Sequence, residues 1–199
     1  MKLFYSANSP FVRKVLVAAA ELGLEIENVP SPTNPVSQDA AILATNPLGQ
    51  VPTLITDDGV SLADSRVIIE YLDHLGGGNI IPPVGPKRWA VLVDQSTADG
   101  MLDSALSMRY EQVLRPVDIR SATWVTAQHG KVGATLDYFE ARVSSFGDRV
   151  DVGTITIACA LAYLDLRFPD EGWRSRAGLA AWFKTFSERP SMLKTAHPT

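Results

Sequence analysis

Several features are scarce or missing from this 199-residue chain, and each absence removes a class of protein. There is a single cysteine, Cys159, so no disulfide can form within the chain, which suits a reducing compartment. There is no basic block, and the formal charge is −4, whereas a nucleic-acid partner gripped through its phosphates needs clustered Lys and Arg. No apolar run approaches the roughly 20 residues that cross a bilayer. The N-terminal stretch carries Arg13 and Lys14 where a secretory leader would be apolar. His74, His129 and His197 lack the spacing of metal ligands, so no metal is expected. The expectation is a cytoplasmic protein with neither a nucleic-acid nor a membrane partner. The composition, 46% apolar and 20% charged, is that of an ordinary folded chain long enough for two small domains.

Strand and helix signals alternate in the first part of the chain. Lys2 to Tyr5 reads as a strand, and Ser6-Ala7-Asn8-Ser9-Pro10 as a turn. From Pro10 to Leu22 the apolar residues recur at helical spacing, and Gly23 closes the helix. Ile26 to Val29 reads as a second strand, Gln38 to Ala44 as a short helix, and Val51 to Thr56 as a third strand. Asp57-Asp58-Gly59 is a hairpin signal leading to a fourth strand, Val60 to Ala63. Asp64-Ser65 opens a helix that runs to about Leu75. The order βαβαββα implies one parallel pair and an antiparallel hairpin, hence a mixed four-stranded sheet. The stretch from Gly76 to Pro83 reads as a linker, and everything after it as helical: Arg88 to Leu114, Thr123 to Phe146, Thr154 to Phe168 and Arg176 to Glu188. The fold class is therefore α/β followed by all-α, with domains 1–81 and 82–199.

Three local features of the first domain lie where ligands gather in α/β folds. Ser9 caps a helix whose first turn holds Pro10; the same helix N-terminus offers free N–H groups and partial positive charge to an anion such as a thiolate. In Gln50-Val51-Pro52, a proline at a strand start is either a plain turn residue or a cis residue that leaves the Val51 backbone open to an added peptide. Asp64 and Ser65 either cap the next helix or hold an ammonium and a carboxylate. Against these stands an absence: near Pro10 there is no Cys-x-x-Cys, which a redox protein of this topology would carry. Cys159 reads as a small core residue, and Met101 and Met108 as either core or pocket lining.

Three blocks carry a family resemblance: Ser9-Pro10-Phe11-Val12-Arg13-Lys14-Val15, Asn46 to Leu54 through Gly49-Gln50-Val51-Pro52, and Asp64 to Leu72. With them the whole chain resembles the cytosolic glutathione transferase superfamily, of the bacterial type with Ser-Pro-Phe-Val-Arg-Lys after the first strand. The resemblance implies a thioredoxin-like first domain that binds glutathione. It gives Ser9 the hydrogen bond to the glutathione sulfur, with Ser6 or Asn8 on the same loop as alternatives. It gives the Val51 backbone beside Pro52 to the cysteinyl unit, Asp64 and Ser65 to the γ-glutamyl end, and Gln50 to the glycyl carboxylate. It implies a homodimer; a hydrophobic electrophile is then expected to sit against the helical domain, in a pocket lined by Phe11, Met101, Met108 and Tyr110. The competing readings are a glutathione-dependent peroxidase or reductase, and a glutathione-binding carrier. One departure stands out: where the family starts its central helix with Ser or Thr and Asp three residues on, this chain has Asp151 and Thr154. The cap is expected to form, with Thr a weaker return partner than Asp and some stability lost.

Overall fold

A computed structural model describes residues Met1–His197, and its backbone falls into two compact units. One comprises Met1–Arg88 together with the described residues from Arg189 onward; the other is Trp89–Glu188.

The first unit holds β1 (Lys2–Tyr5), α1 (Pro10–Glu21), β2 (Glu27–Pro30), α2 (Ala40–Leu43), β3 (Thr53–Ile55), β4 (Ser61–Leu62) and α3 (Ser65–Leu75). The sheet order is β2-β1-β3-β4, with β1 parallel to β2 and antiparallel to β3, and β3 antiparallel to β4. This is the mixed sheet expected from the sequence. β3 and β4 are shorter than the apolar runs that mark them. Pro52 has no N–H to give the ladder, and the Thr56 hydroxyl takes the Val60 amide at 2.8 Å, closing the turn early. Gly59 in that turn has φ 85°, and Gly23 beyond α1 has φ 68°, conformations other residues rarely adopt. Leu3, Val15, Leu54, Ile68, Ile69 and Leu72 are fully buried between sheet and helices.

The segment read as a linker folds back onto this unit. The Ile80 amide donates to the Asp73 carboxylate at 2.8 Å, and Arg88 reaches the Pro82 carbonyl at 3.2 Å and Glu70 at 2.9 Å. Ile80 and Ile81 are buried. A further helix, α8 (Pro190–Lys194), belongs here too, and the sequence reading, which stopped at Glu188, did not foresee it. Pro190 blocks continuation of the preceding helix, yet it suits the first turn of a new one. Two Arg189 nitrogens clamp the Glu21 carboxylate at 2.9 and 2.8 Å, the Ser191 hydroxyl donates to the same group, and Arg13 Nη2 donates to the Met192 carbonyl at 3.2 Å.

The second unit is built on α4, whose full span is Pro86–Leu114, α5 (Ala122–Glu140), α6 (Val152–Arg167) and α7 (Ala177–Ser187). α6 is apolar on every side and nearly all buried, as a central helix must be. Its cap closes both ways: the Thr154 amide donates to Asp151 Oδ1, and the Asp151 amide to Thr154 Oγ1, each at 3.0 Å. Thr154 Oγ1 also lies 3.2 Å from the Arg149 carbonyl, to which it can donate. Fully buried Asp94 accepts from Arg142 at 3.0 Å and Arg149 at 3.2 Å. α5 ends earlier than its pattern suggested, with a separate 3-10 turn at Val143–Ser145. The Glu140 carboxylate at its end takes the Gly178 and Leu179 amides at 2.9 and 2.7 Å, capping α7, whose own N-cap residue, Arg176, supplies no side-chain cap. Among the described residues, no single helix is long and apolar enough to cross a membrane.

Candidate functional site

Register alone brings the three sequence blocks of the first unit to one end of the sheet. Phe4, next to the end of β1, pairs with Thr53 at the start of β3. Leu62, at the end of β4, pairs with Leu54, one residue further in. The loop leading to Ser9, the Val51-Pro52 step and the start of α3 therefore share an edge. Two helices of 12 and 11 residues, α1 and α3, start there, and their N-termini offer partial positive charge to anions.

Ser9 is the N-cap of α1, and its oxygen accepts from the Val12 amide at 3.3 Å. Among the described residues nothing accepts its O–H, so the hydroxyl keeps a donor to offer. The Val51-Pro52 peptide is cis. Neither the N–H nor the C=O of Val51 has a hydrogen-bond partner among the described residues. An open donor and acceptor on one residue is what an incoming extended peptide needs. Asp64 caps α3, with Oδ1 accepting from the Arg66 amide at 2.9 Å; the side chain is otherwise exposed. Ser65, the first helical residue, is 3% exposed, and its hydroxyl bonds to nothing else among the described residues. Gln50 is exposed, and its backbone carbonyl is occupied by Thr53 and Asn46. Of the alternatives to Ser9, Asn8 is exposed and Ser6 is half-buried, its backbone carbonyl accepting the Ser9 amide at 3.0 Å.

The sequence reading missed the scaffold that holds Val51. The Asn46 amide group donates to Thr53 Oγ1 at 2.9 Å, Thr53 Oγ1 to the Gln50 carbonyl at 2.8 Å, and the Leu48 amide to Asn46 Oδ1 at 3.0 Å. Thr33 and Gln38 strap the same loop from outside, through the carbonyls of Gly49 at 2.8 Å and Leu48 at 3.1 Å. The signal available was Asn before Pro with a Thr seven residues on, which fits a plain turn equally well.

The other residues named for the site fall as follows. Phe11 is half-buried on α1, with Lys14 Nζ 5.5 Å from its ring centre. In the second unit Met101 and Met108 are 1% and 2% exposed, and Tyr110 is 38% exposed. Burial pushes the Tyr110 phenol up, and burial foremost pushes that of Tyr163 up to about 12, so both are neutral donors near pH 7. No group of three or more His, Cys, Asp or Glu among the described residues is arranged to hold a metal ion.

Sheet order, connectivity and the helical unit that follows define a thioredoxin-like domain joined to an all-helical one. Sequence comparison carries this to a family. Residues 8–75 match the family model of the glutathione S-transferase N-terminal domain, and 122–185 that of the C-terminal domain. The chain belongs to the glutathione S-transferase family. It is 32% identical to YibF of Escherichia coli K12, described as an uncharacterized GST-like protein, over all of this chain and 99% of the relative. It is 28% identical to a glutathione S-transferase of Hyoscyamus muticus, over 98% and 96% of the two chains. A glutathione transferase family member from Pseudomonas fluorescens Pf-5, solved with glutathione bound, superposes with a TM-score of 0.97 at 41% identity, over 100% and 99% of the two chains. A glutathione S-transferase from Methylobacillus flagellatus KT, also solved with glutathione, superposes at 0.91 with 32% identity, over 99% of each.

Proposed function

We propose that this chain binds glutathione at the shared sheet edge and transfers its thiolate to a small hydrophobic electrophile. The observation that carries the reading is Val51, whose unpaired N–H and C=O lie at the same edge as the spare donor of Ser9. Solved relatives with glutathione bound support it.

In this reading the cysteinyl unit lies along Val51 as a short added strand. Ser65 and the α3 N-terminus take the γ-glutamyl carboxylate, Asp64 the ammonium, and Gln50 the glycyl carboxylate. The chain then needs no cysteine of its own. A free thiol has a pKa near 8.5, so only a few per cent is thiolate at pH 7. Lowering it by about two units requires roughly 2.7 kcal/mol of preference for the charged form. A charge-assisted hydrogen bond from Ser9, with the α1 N-terminus behind it, is of that order. Ser9 acts as a donor and not as a base. The thiolate pair forms the new carbon–sulfur bond while the leaving group departs with its electrons, and the thiol proton goes to solvent. Phe11, Met101, Met108 and Tyr110 stay the residues proposed to meet the electrophile, in a cytoplasmic homodimer.

The test is the ultraviolet absorbance of the thiolate in the glutathione complex, titrated for the parent protein and Ser9→Ala. The bound thiol pKa should rise by about one to two units in the variant; an unchanged value removes Ser9 from the role. Turnover of an aryl halide against that of an organic hydroperoxide separates transferase from peroxidase. Glutathione retention without either turnover would indicate a carrier.

A further inference from the structure

A cavity of about 300 Å³ opens in the first unit. Ser9, Val51, Asp64 and Ser65 take no part in its wall, which is formed by α1, Tyr5 of β1 with Ser6 and Ala7 after it, the stretch from Leu24 to Asn28 of β2, and the end of α8 with Thr195 and Ala196. Its volume is at the small end of ligand pockets. Leu16 and Leu24 give it an apolar side, while Arg13, Asn28, Glu25 and Lys194 give it polar groups. Glu25 and Lys194 are exposed, whereas Arg13 is 8% exposed.

Arg13 is the unusual member. A guanidinium has five N–H donors, and the only bond it makes among the described residues runs from Nη2 to the Met192 carbonyl at 3.2 Å. Its Nε is buried with no partner, and no carboxylate pairs with it among the described residues. Arg142 and Arg149 of the second unit, both more exposed, are each paired to Asp94. A buried cation without a counterion is unfavourable, and a carboxylate matches the planar edge of a guanidinium with two parallel hydrogen bonds.

We infer that this cavity is a second ligand site, taking a small organic monocarboxylate. Its carboxylate lies against the Arg13 guanidinium, and its apolar body lies beside Leu16 and Leu24. Lys194 at the mouth adds attraction, and Glu25 beside it disfavours a second negative charge on the ligand. The inference is independent of the glutathione reading, because of the residues given to glutathione only Ser6, the alternative to Ser9, reaches the cavity wall.

Benzoate is a suitable probe, with benzamide as its neutral counterpart, and binding is measured calorimetrically on the full chain saturated with S-hexylglutathione. Benzoate should bind under these conditions, with benzamide weaker by about tenfold, the loss expected from one charge-assisted hydrogen bond. Arg13→Gln should weaken benzoate by a similar factor. Because Arg13 also ties down α8, Leu16→Trp provides a second arm, filling the cavity with Arg13 intact: it should abolish benzoate binding and leave retention on immobilised glutathione unchanged. The site is refuted if benzoate fails to bind, if benzamide binds equally well, if S-hexylglutathione displaces benzoate, or if both variants bind benzoate like the parent. A chain that takes up benzoate but not S-hexylglutathione would overturn the glutathione reading and leave this one standing.

Discussion

Single residues at the sheet edge act through different parts of themselves, and substitution separates them. Val51 would serve a ligand through its N–H and C=O, so Val51→Ala should leave glutathione affinity within about twofold of the parent. Ser65 would serve through its hydroxyl, so Ser65→Ala should weaken glutathione by about tenfold in calorimetric titration. A large loss at Val51 with none at Ser65 would contradict the assigned geometry. Thr154 gives an expectation drawn from the sequence a test with the opposite outcome. Aspartate there should not improve the α6 cap, because Thr154 is fully buried and its hydroxyl is placed to donate to the Arg149 carbonyl, which an aspartate cannot do. It would also bring a second carboxylate beside Asp151. Thr154→Asp should therefore lower stability by about 1–3 kcal/mol, read as a fall in the thermal midpoint, and a rise would restore the original view.

At the level of elements, the legible parts were those whose cause is local. Ser9-Pro10 announces the start of α1, Gly23 its end, and Asp58-Gly59 the hairpin, because caps and positive φ depend on neighbouring residues. The cap of α7 was illegible because its carboxylate, Glu140, is contributed by another helix, 38 positions before Gly178. The open backbone of Val51 was anticipated only conditionally, and the Asn46–Thr53 scaffold behind it was hidden in side-chain bonds that leave no periodic trace. The seam between α1 and α8 is likewise non-local, and it titrates. The two hydrogen bonds from Arg189 foremost, and that from Ser191, hold the Glu21 carboxyl below its usual range despite its burial. A depressed carboxylate stabilises the fold above its unfolded pKa and loses that contribution as pH falls through the folded value. Acid should therefore loosen α8 first below about pH 4.5. Glu21→Gln should lose about 1 kcal/mol at pH 7, a modest figure because Arg189 is partly exposed, and should flatten the decline in unfolding midpoint on acidification. An unchanged slope would deny the pair its role.

On the scale of the whole molecule, the two units do not follow the order of the chain. Composition marked a break around Gly76–Pro83, but nothing in it could show that the residues after Glu188 return to the first unit, since that return depends on Glu21 and Arg13, far away in sequence. Ending the chain at Glu188 should destabilise α1 and its neighbours while sparing α5, α6 and α7. Hydrogen exchange resolved by segment reads this directly, and equal loss of protection in both units would refute it.

The return of α8 has a consequence for biosynthesis. Nascent chains generally fold domain by domain from the N-terminus. Here the first unit to leave the ribosome is the last to be finished, because the face of α1 that receives Arg189 and Ser191 stays open throughout translation of the helical unit. During that interval the Glu21 carboxylate faces solvent without its partners, and the helical unit, complete within itself, can reach its native form first.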